Sequence, residues 1–165
     1  MKKAETEILF EEVQQFAKRS VREFLKILTG IFFIVVIASL ILHKGEMTDF
    51  AWVLMVVLSI SLLFNFILGS KLILQIRTDG IYVRFPPWQP FFSKYYWSDL
   101  SEVYVREYEA MKEFFGWGLR MQPGRIGYIV AGNTGIEIIL TNGKKILITT
   151  QQSDEINELL RQLQK

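Results

Sequence analysis

Cysteine is missing altogether, and a single histidine, His43, stands in 165 residues. Without cysteine there is no disulfide framework, no thiolate zinc site and no thiol nucleophile, and one histidine alone completes no metal site. Charge of one sign is scarce too: 19 Lys and Arg against 17 Asp and Glu leave +2, too weak a field to draw a polyanion, so no nucleic acid is expected as a partner. Phosphate-loop patterns are lacking despite 11 glycines. Such loops set glycines between a strand and a helix start, where amides and helix dipole converge on the anion. Here Gly116 and Gly118 flank Trp117 with no helical pattern behind them, Gly124 follows Pro123, and Gly132 and Gly135 bracket Asn133-Thr134 just before an alternating run. These glycines turn corners. Asp99, Glu102, Glu107 and Glu109 lie on or beside strand-like segments near Arg106, as cross-strand ion pairs would. No catalytic residue, cofactor or metal is expected.

What is abundant is apolar sequence. Half the residues are hydrophobic and mean hydropathy is +0.23, yet 22% are charged, so the apolarity is concentrated. Residues 27–42, "ILTGIFFIVVIASLIL", rise about 24 Å as a helix, and Lys26 can snorkel its ammonium to lengthen the span. Residues 50–68, "FAWVLMVVLSISLLFNFIL", rise about 28 Å, close to a hydrocarbon thickness. The short link "HKGEMTD" permits only an antiparallel hairpin. Residues 26–69 are therefore expected as a transmembrane hairpin with spans at about 26–42 and 50–69. A charged stretch precedes the first span and no small-x-small site follows it, unlike a signal peptide. Lys18, Arg19, Arg22 and Lys26 flank the first span and Lys71 and Arg77 follow the second. Both termini are thus expected in the cytoplasm, in a multi-pass protein of the inner membrane. Ser59, Ser61 and Asn65 are placed to bond Thr29 or Ser39 across the pair, and neither span carries the ionisable residues of a transport pathway.

Residues 1–25 read as an amphipathic helix: Leu9, Val13, Phe16, Ala17, Val21 and Phe24 recur near helical spacing, with glutamates early and cations late. It packs on the protein's own domain, lies on anionic lipid, or dimerises. From residue 70 to 165 the pattern alternates with period two, as half-buried strands do. Leu72, Leu74, Ile76, Ile81, Val83 and Phe85 share one face if a two-residue Asp79-Gly80 turn pairs Ile76 with Val83. In "GIEIILTNGKKILITT" a three-residue loop, Thr141-Asn142-Gly143, pairs Ile138 with Ile146 and Ile136 with Ile148, and Gly143 is left-handed in a bulge. A one-residue slip would mix the faces. Leu147 falls on the opposite face, where truncation is expected to cost less than at Ile146. Ile156, Leu159, Leu160 and Leu163 stripe a closing helix.

Two helices, about seven short strands and one closing helix resemble the bacterial membrane-anchored pleckstrin-homology-like (PH-like) proteins. The resemblance lies in "DGIYVRF", "WSDLSEVYVREY", "GWGLR" and "GNTGIEIILTNGKKILITTQQSDEI". It implies a membrane-anchored, mainly β barrel or sandwich, and no site residues. Lipid-binding members of the wider fold use a long basic loop between their first two strands. The short acidic Asp79-Gly80 turn stands there instead, so phosphoinositide binding is not expected. Aromatic residues in loop-like "FPPWQPFFSKYYW" and "EFFGWG" are the candidate interface: Trp88, Phe91, Phe92, Phe114, Phe115 and Trp117. They form a satellite core, dock among lipid headgroups, or meet a partner. The function expected is a non-catalytic membrane-tethered binding or scaffold module, whose partners are the bilayer and a protein or a second copy. The alternative is an accessory subunit of a transport or secretion complex acting through its spans.

Overall fold

The computed structural model describes residues 7–42 and 49–163; His43 and nearly all of the link between the apolar segments lie outside them. The chain forms two compact units, one of Met1–Gln14 with Lys71–Lys165 and the other of Gln15–Ser70.

In the helical unit, α1 (Arg19–Leu42) and α2 (Asp49–Leu68) pair through polar groups. The Thr29 and Ser61 hydroxyls lie 2.5 Å apart, and Asn65 Nδ2 donates to Thr29 Oγ1 at 2.7 Å and toward the Leu25 carbonyl at 3.4 Å. Advancing from Ser61 to Asn65 retreats from Thr29 to Leu25, so the helices run antiparallel. Ser59 bonds back to the Met55 carbonyl instead. Among the described residues α1 is the one helix long and apolar enough to cross a membrane, and α2 carries a shorter apolar stretch, Trp52–Leu68.

The β unit is a sandwich of two sheets with a C-terminal helix. Sheet one has the order β1 (Ile8–Gln15), β2 (Lys71–Arg77), β3 (Gly80–Phe85), β4 (Gln89–Tyr96). Sheet two joins β5 (Leu100–Glu107), β6 (Gly118–Gln122), β7 (Arg125–Ile129), β8 (Thr134–Leu140) and β9 (Lys145–Thr149) in the order β5-β8-β9-β7-β6, with β7 parallel to β9. A short helix, α3 (Ala110–Phe114), separates β5 from β6, and α4 (Ser153–Leu163) ends the fold with Ile156 and Leu160 buried. The core lies between the sheets, where Leu72, Leu74, Ile76, Val83, Ile138 and Ile146 are inaccessible to solvent.

Nine described strands replace the seven expected, and β1 is the main difference. Residues 8–15 form a sheet strand, and the helix starts only at Arg19. The β unit thus recruits the N-terminal segment and does not begin at residue 70. The strand was hidden because its inward positions are Phe10, Glu12 and Gln14 while Leu9 and Val13 face out. Polar side chains survive there because they are fully engaged. Glu12 accepts from the Thr150 hydroxyl at 2.6 Å and the Gln151 N–H at 2.9 Å. Gln14 donates to the Thr149 carbonyl at 2.6 Å and accepts from its hydroxyl at 3.1 Å. Glu12→Ala should therefore leave the Thr150 hydroxyl proton and the Gln151 N–H without their acceptor and cost about 1–3 kcal/mol, read by denaturant titration of the full-length protein in detergent. Val13→Ala, on the outward side, should change the midpoint little.

The β8–β9 hairpin has the expected register: Ile138 faces Ile146, Ile136 faces Ile148, and Gly143 has φ 81°. At the β2–β3 turn the register moves by two. Ile76 faces Ile81 and Arg77 faces Gly80, so the turn is Thr78-Asp79. Because side chains alternate with period two, that shift leaves the apolar face unchanged. Gly80 serves strand pairing, since a Cβ there would collide with the Tyr95 carbonyl and Tyr96 Cα of β4.

Candidate functional site

The six candidate aromatics part into three groups. Phe114 is core, only 1% exposed. Its ring seats on the outer face of sheet two against Leu147, Ile129 and Tyr108. Gly127 makes the room: a Cβ there would stand 2.5 Å from Phe114 Cδ1 and 3.1 Å from Ile129 Cδ1. Leu147 is consequently buried although it lies on the outer face, which corrects the expectation that this face is lightly packed.

Ion pairs hold α3 over this small core. Arg106 on β5 donates to Glu137 on β8, and its two terminal nitrogens reach Glu113 on α3 at 3.0 and 2.6 Å. Arg125 on β7 adds a bond to Glu113 at 2.8 Å and stacks 4.7 Å from the Phe114 ring centre. The Arg106 guanidinium holds the Glu113 carboxyl down at about 2, burial working against it. Burial also pushes the Tyr108 hydroxyl up to about 12. Arg106 thus pairs with Glu113 and Glu137, while Glu109 pairs with Lys112 on its own helix. Both carboxylates of this cluster are occupied in holding secondary structure together.

Phe92 forms the second group. It lies half-buried, under the Arg84 guanidinium at 4.8 Å and edge-on to Tyr82 at 6.3 Å. Arg77 and Lys94 stack on Tyr82 at 4.5 and 5.5 Å. These cation–π contacts knit the outer face of sheet one.

The third group is exposed: Trp88 by 53%, Phe91 by 82%, Phe115 by 79% and Trp117 by 51%. Phe115 takes a left-handed backbone, φ 57°, as the C-cap of α3, which turns the chain out toward solvent. Trp88 and Trp117 lie at one end of the sandwich. β1 ends at Gln15 and β2 opens at Lys71, neighbours in sheet one, so the chain leaves for and returns from the helical unit at this end. The Lys71 N–H donates to the Pro86 carbonyl at 3.0 Å, which fixes the turn carrying Trp88 here. In sheet two Gly118 faces Ile129, so Trp117 reaches the level of Val130. The Val130 N–H donates to the Thr149 hydroxyl at 3.3 Å, and Thr149 in turn bonds Gln14. Trp97 marks the opposite end, where its N–H donates to the Asp79 carbonyl.

That opposite end holds an open cleft of about 410 Å³ lined by Met121, Ile126, Asn142 and Lys144. Sequence reasoning missed it because the β6–β7 and β8–β9 turns that form it meet only through the parallel β7–β9 pairing. A second contact it missed joins the sheets: the Tyr128 hydroxyl donates to Gln89 at 3.0 Å. Among the described residues no three histidine or carboxylate side chains cluster as a metal site would require. Comparison with known proteins found no matching family model, no matching curated protein and no matching solved structure.

Proposed function

We propose that the chain is a membrane-tethered binding module without catalytic activity: a PH-like β unit anchored in the inner membrane by a two-span hairpin, with both termini in the cytoplasm. The observation that carries this reading is the inverted polarity of the helix pair. Thr29, Ser61 and Asn65 bond one another between the helices while Phe24, Ile27, Ile34, Trp52, Val53 and Leu63 are exposed. Water would favour the reverse arrangement, and a hydrocarbon solvent favours this one. The apolar length of α2 is short, and the residues just before it bring it close to a bilayer thickness. Two sheets closed by a C-terminal helix are compatible with a PH-like fold. The engagement of Glu12, Glu113 and Glu137 in structural bonds supports a binding role over catalysis.

In this role the β unit recruits or regulates a protein partner, a second copy included. The test is co-purification of the full-length chain from detergent, compared with a chain whose residues 19–68 are replaced by an unrelated two-span hairpin. A stoichiometric partner or dimer retained by both chains is the expected result. Loss on replacing the helices would favour an accessory subunit acting through its spans, and a lone monomer in both preparations would contradict the binding role.

A further inference from the structure

We propose that Trp88 and Trp117 form a rim that seats the β unit on the headgroup layer of the bilayer. The proposal rests on the membrane anchorage argued above. Three residues, 16–18, separate β1 from α1, and two, Gly69 and Ser70, separate α2 from β2. At about 3.5 Å per extended residue, neither linker exceeds roughly 10 Å. On that anchorage, the short linkers keep the strand ends Gln15 and Lys71 close to the membrane surface.

That is the end carrying Trp88 and Trp117, and their chemistry suits the layer they would meet. Tryptophan buries its ring in the upper acyl region while the indole N–H stays among hydrated headgroups. Cations stand beside them. Lys18 lies on the outgoing crossing, Arg19 and Arg22 on the first turn of α1, and Lys71 opens β2 on the return. These positions suit the phosphates of anionic lipid. Water contact at this rim would instead leave two half-exposed tryptophans at one end of one unit. Seating the rim also presents the opposite end, with the cleft at Met121 and Ile126, to the aqueous phase.

The four tryptophans test this directly: Trp52 lies in α2, Trp88 and Trp117 on the rim, Trp97 at the far end. Four full-length variants, each retaining one tryptophan with the others changed to phenylalanine, are reconstituted in vesicles of phosphatidylethanolamine and phosphatidylglycerol. A fraction of the lipid is brominated in the upper acyl chain. Emission from Trp52, Trp88 and Trp117 should fall by about half or more, as side chains at that depth require, and Trp97 should be unaffected. If Trp52 is quenched but Trp88 and Trp117 behave like Trp97, the rim is wrong and the anchorage stands. Unquenched Trp52 would overturn the anchorage and the rim together. Blue-shifted but unquenched Trp88 and Trp117 would mean a protein covers the rim, which also overturns the proposal. Should a triple substitution unfold the chain, removing one tryptophan at a time from the native protein gives the same quantities by difference. Trp88→Phe and Trp117→Phe should each reduce the quenchable signal, and no reduction overturns the rim.

Discussion

Leu147→Ala should destabilise the β unit as severely as Ile146→Ala, each by about 2–5 kcal/mol. The two side chains point to opposite faces of β9, and a one-layer view of the sheet would make the outward one dispensable. It is not, because α3 lays Phe114 over that face and leaves Leu147 only 1% exposed. Truncation opens a cavity on either side of the strand, and the surroundings relax only partly around it. Denaturant titration of the full-length variants in detergent, followed by Trp97 emission, measures both. A Leu147→Ala midpoint within about 0.5 kcal/mol of the parent, the range of a surface change, would mean that α3 does not cover the sheet.

Gly127→Val should cost about 3 kcal/mol or more, comparable to removing a buried phenylalanine outright. The Phe114 ring occupies the space a side chain would take, with Leu147 and Ile129 fixed behind it. Backbone strain is not the cause, since Gly127 is absent from the glycines with positive φ; the conflict is one of volume, and overpacking a closed site costs stability in its own right. Expelling the ring would also loosen α3 and draw Glu113 from Arg106 and Arg125. Because the clash is with one ring, a smaller residue should relieve it. Phe114→Leu should cost less in a Gly127→Ala background than alone. Additive costs would show that the two positions do not touch.

These two sites mark where sequence reading stops. Ile138 and Ile146 were legible because an alternating strand allows only two faces and only the three-residue loop puts every isoleucine on one. The β2–β3 turn could be misplaced by two residues and still yield the correct face. Phe114 could not be assigned, because its neighbours Gly127 and Leu147 come from other strands and a glycine gives no sign of the ring it accommodates. β1 was lost for a related reason. Its inward Glu12 and Gln14 look like surface residues until they meet partners 138 and 135 positions along the chain. The exposed aromatics were legible as a group from their loops. The placement of Trp88 and Trp117 at one end of the sandwich depends on the Lys71–Pro86 bond and on the Val130–Thr149–Gln14 chain of contacts, which no local pattern announces.

The hairpin anchorage is tested most directly by the sidedness of the two ends and the link. A reporter that fluoresces only in the cytoplasm is fused at either terminus, and a phosphatase active only after export is inserted between residues 43 and 48. Two spans with cationic flanks on the inner side predict fluorescence from both terminal fusions and phosphatase activity from the link. A phosphatase that is active at the C-terminus and a fluorescent reporter that is dark there would show that α2 does not cross, and would contradict the account.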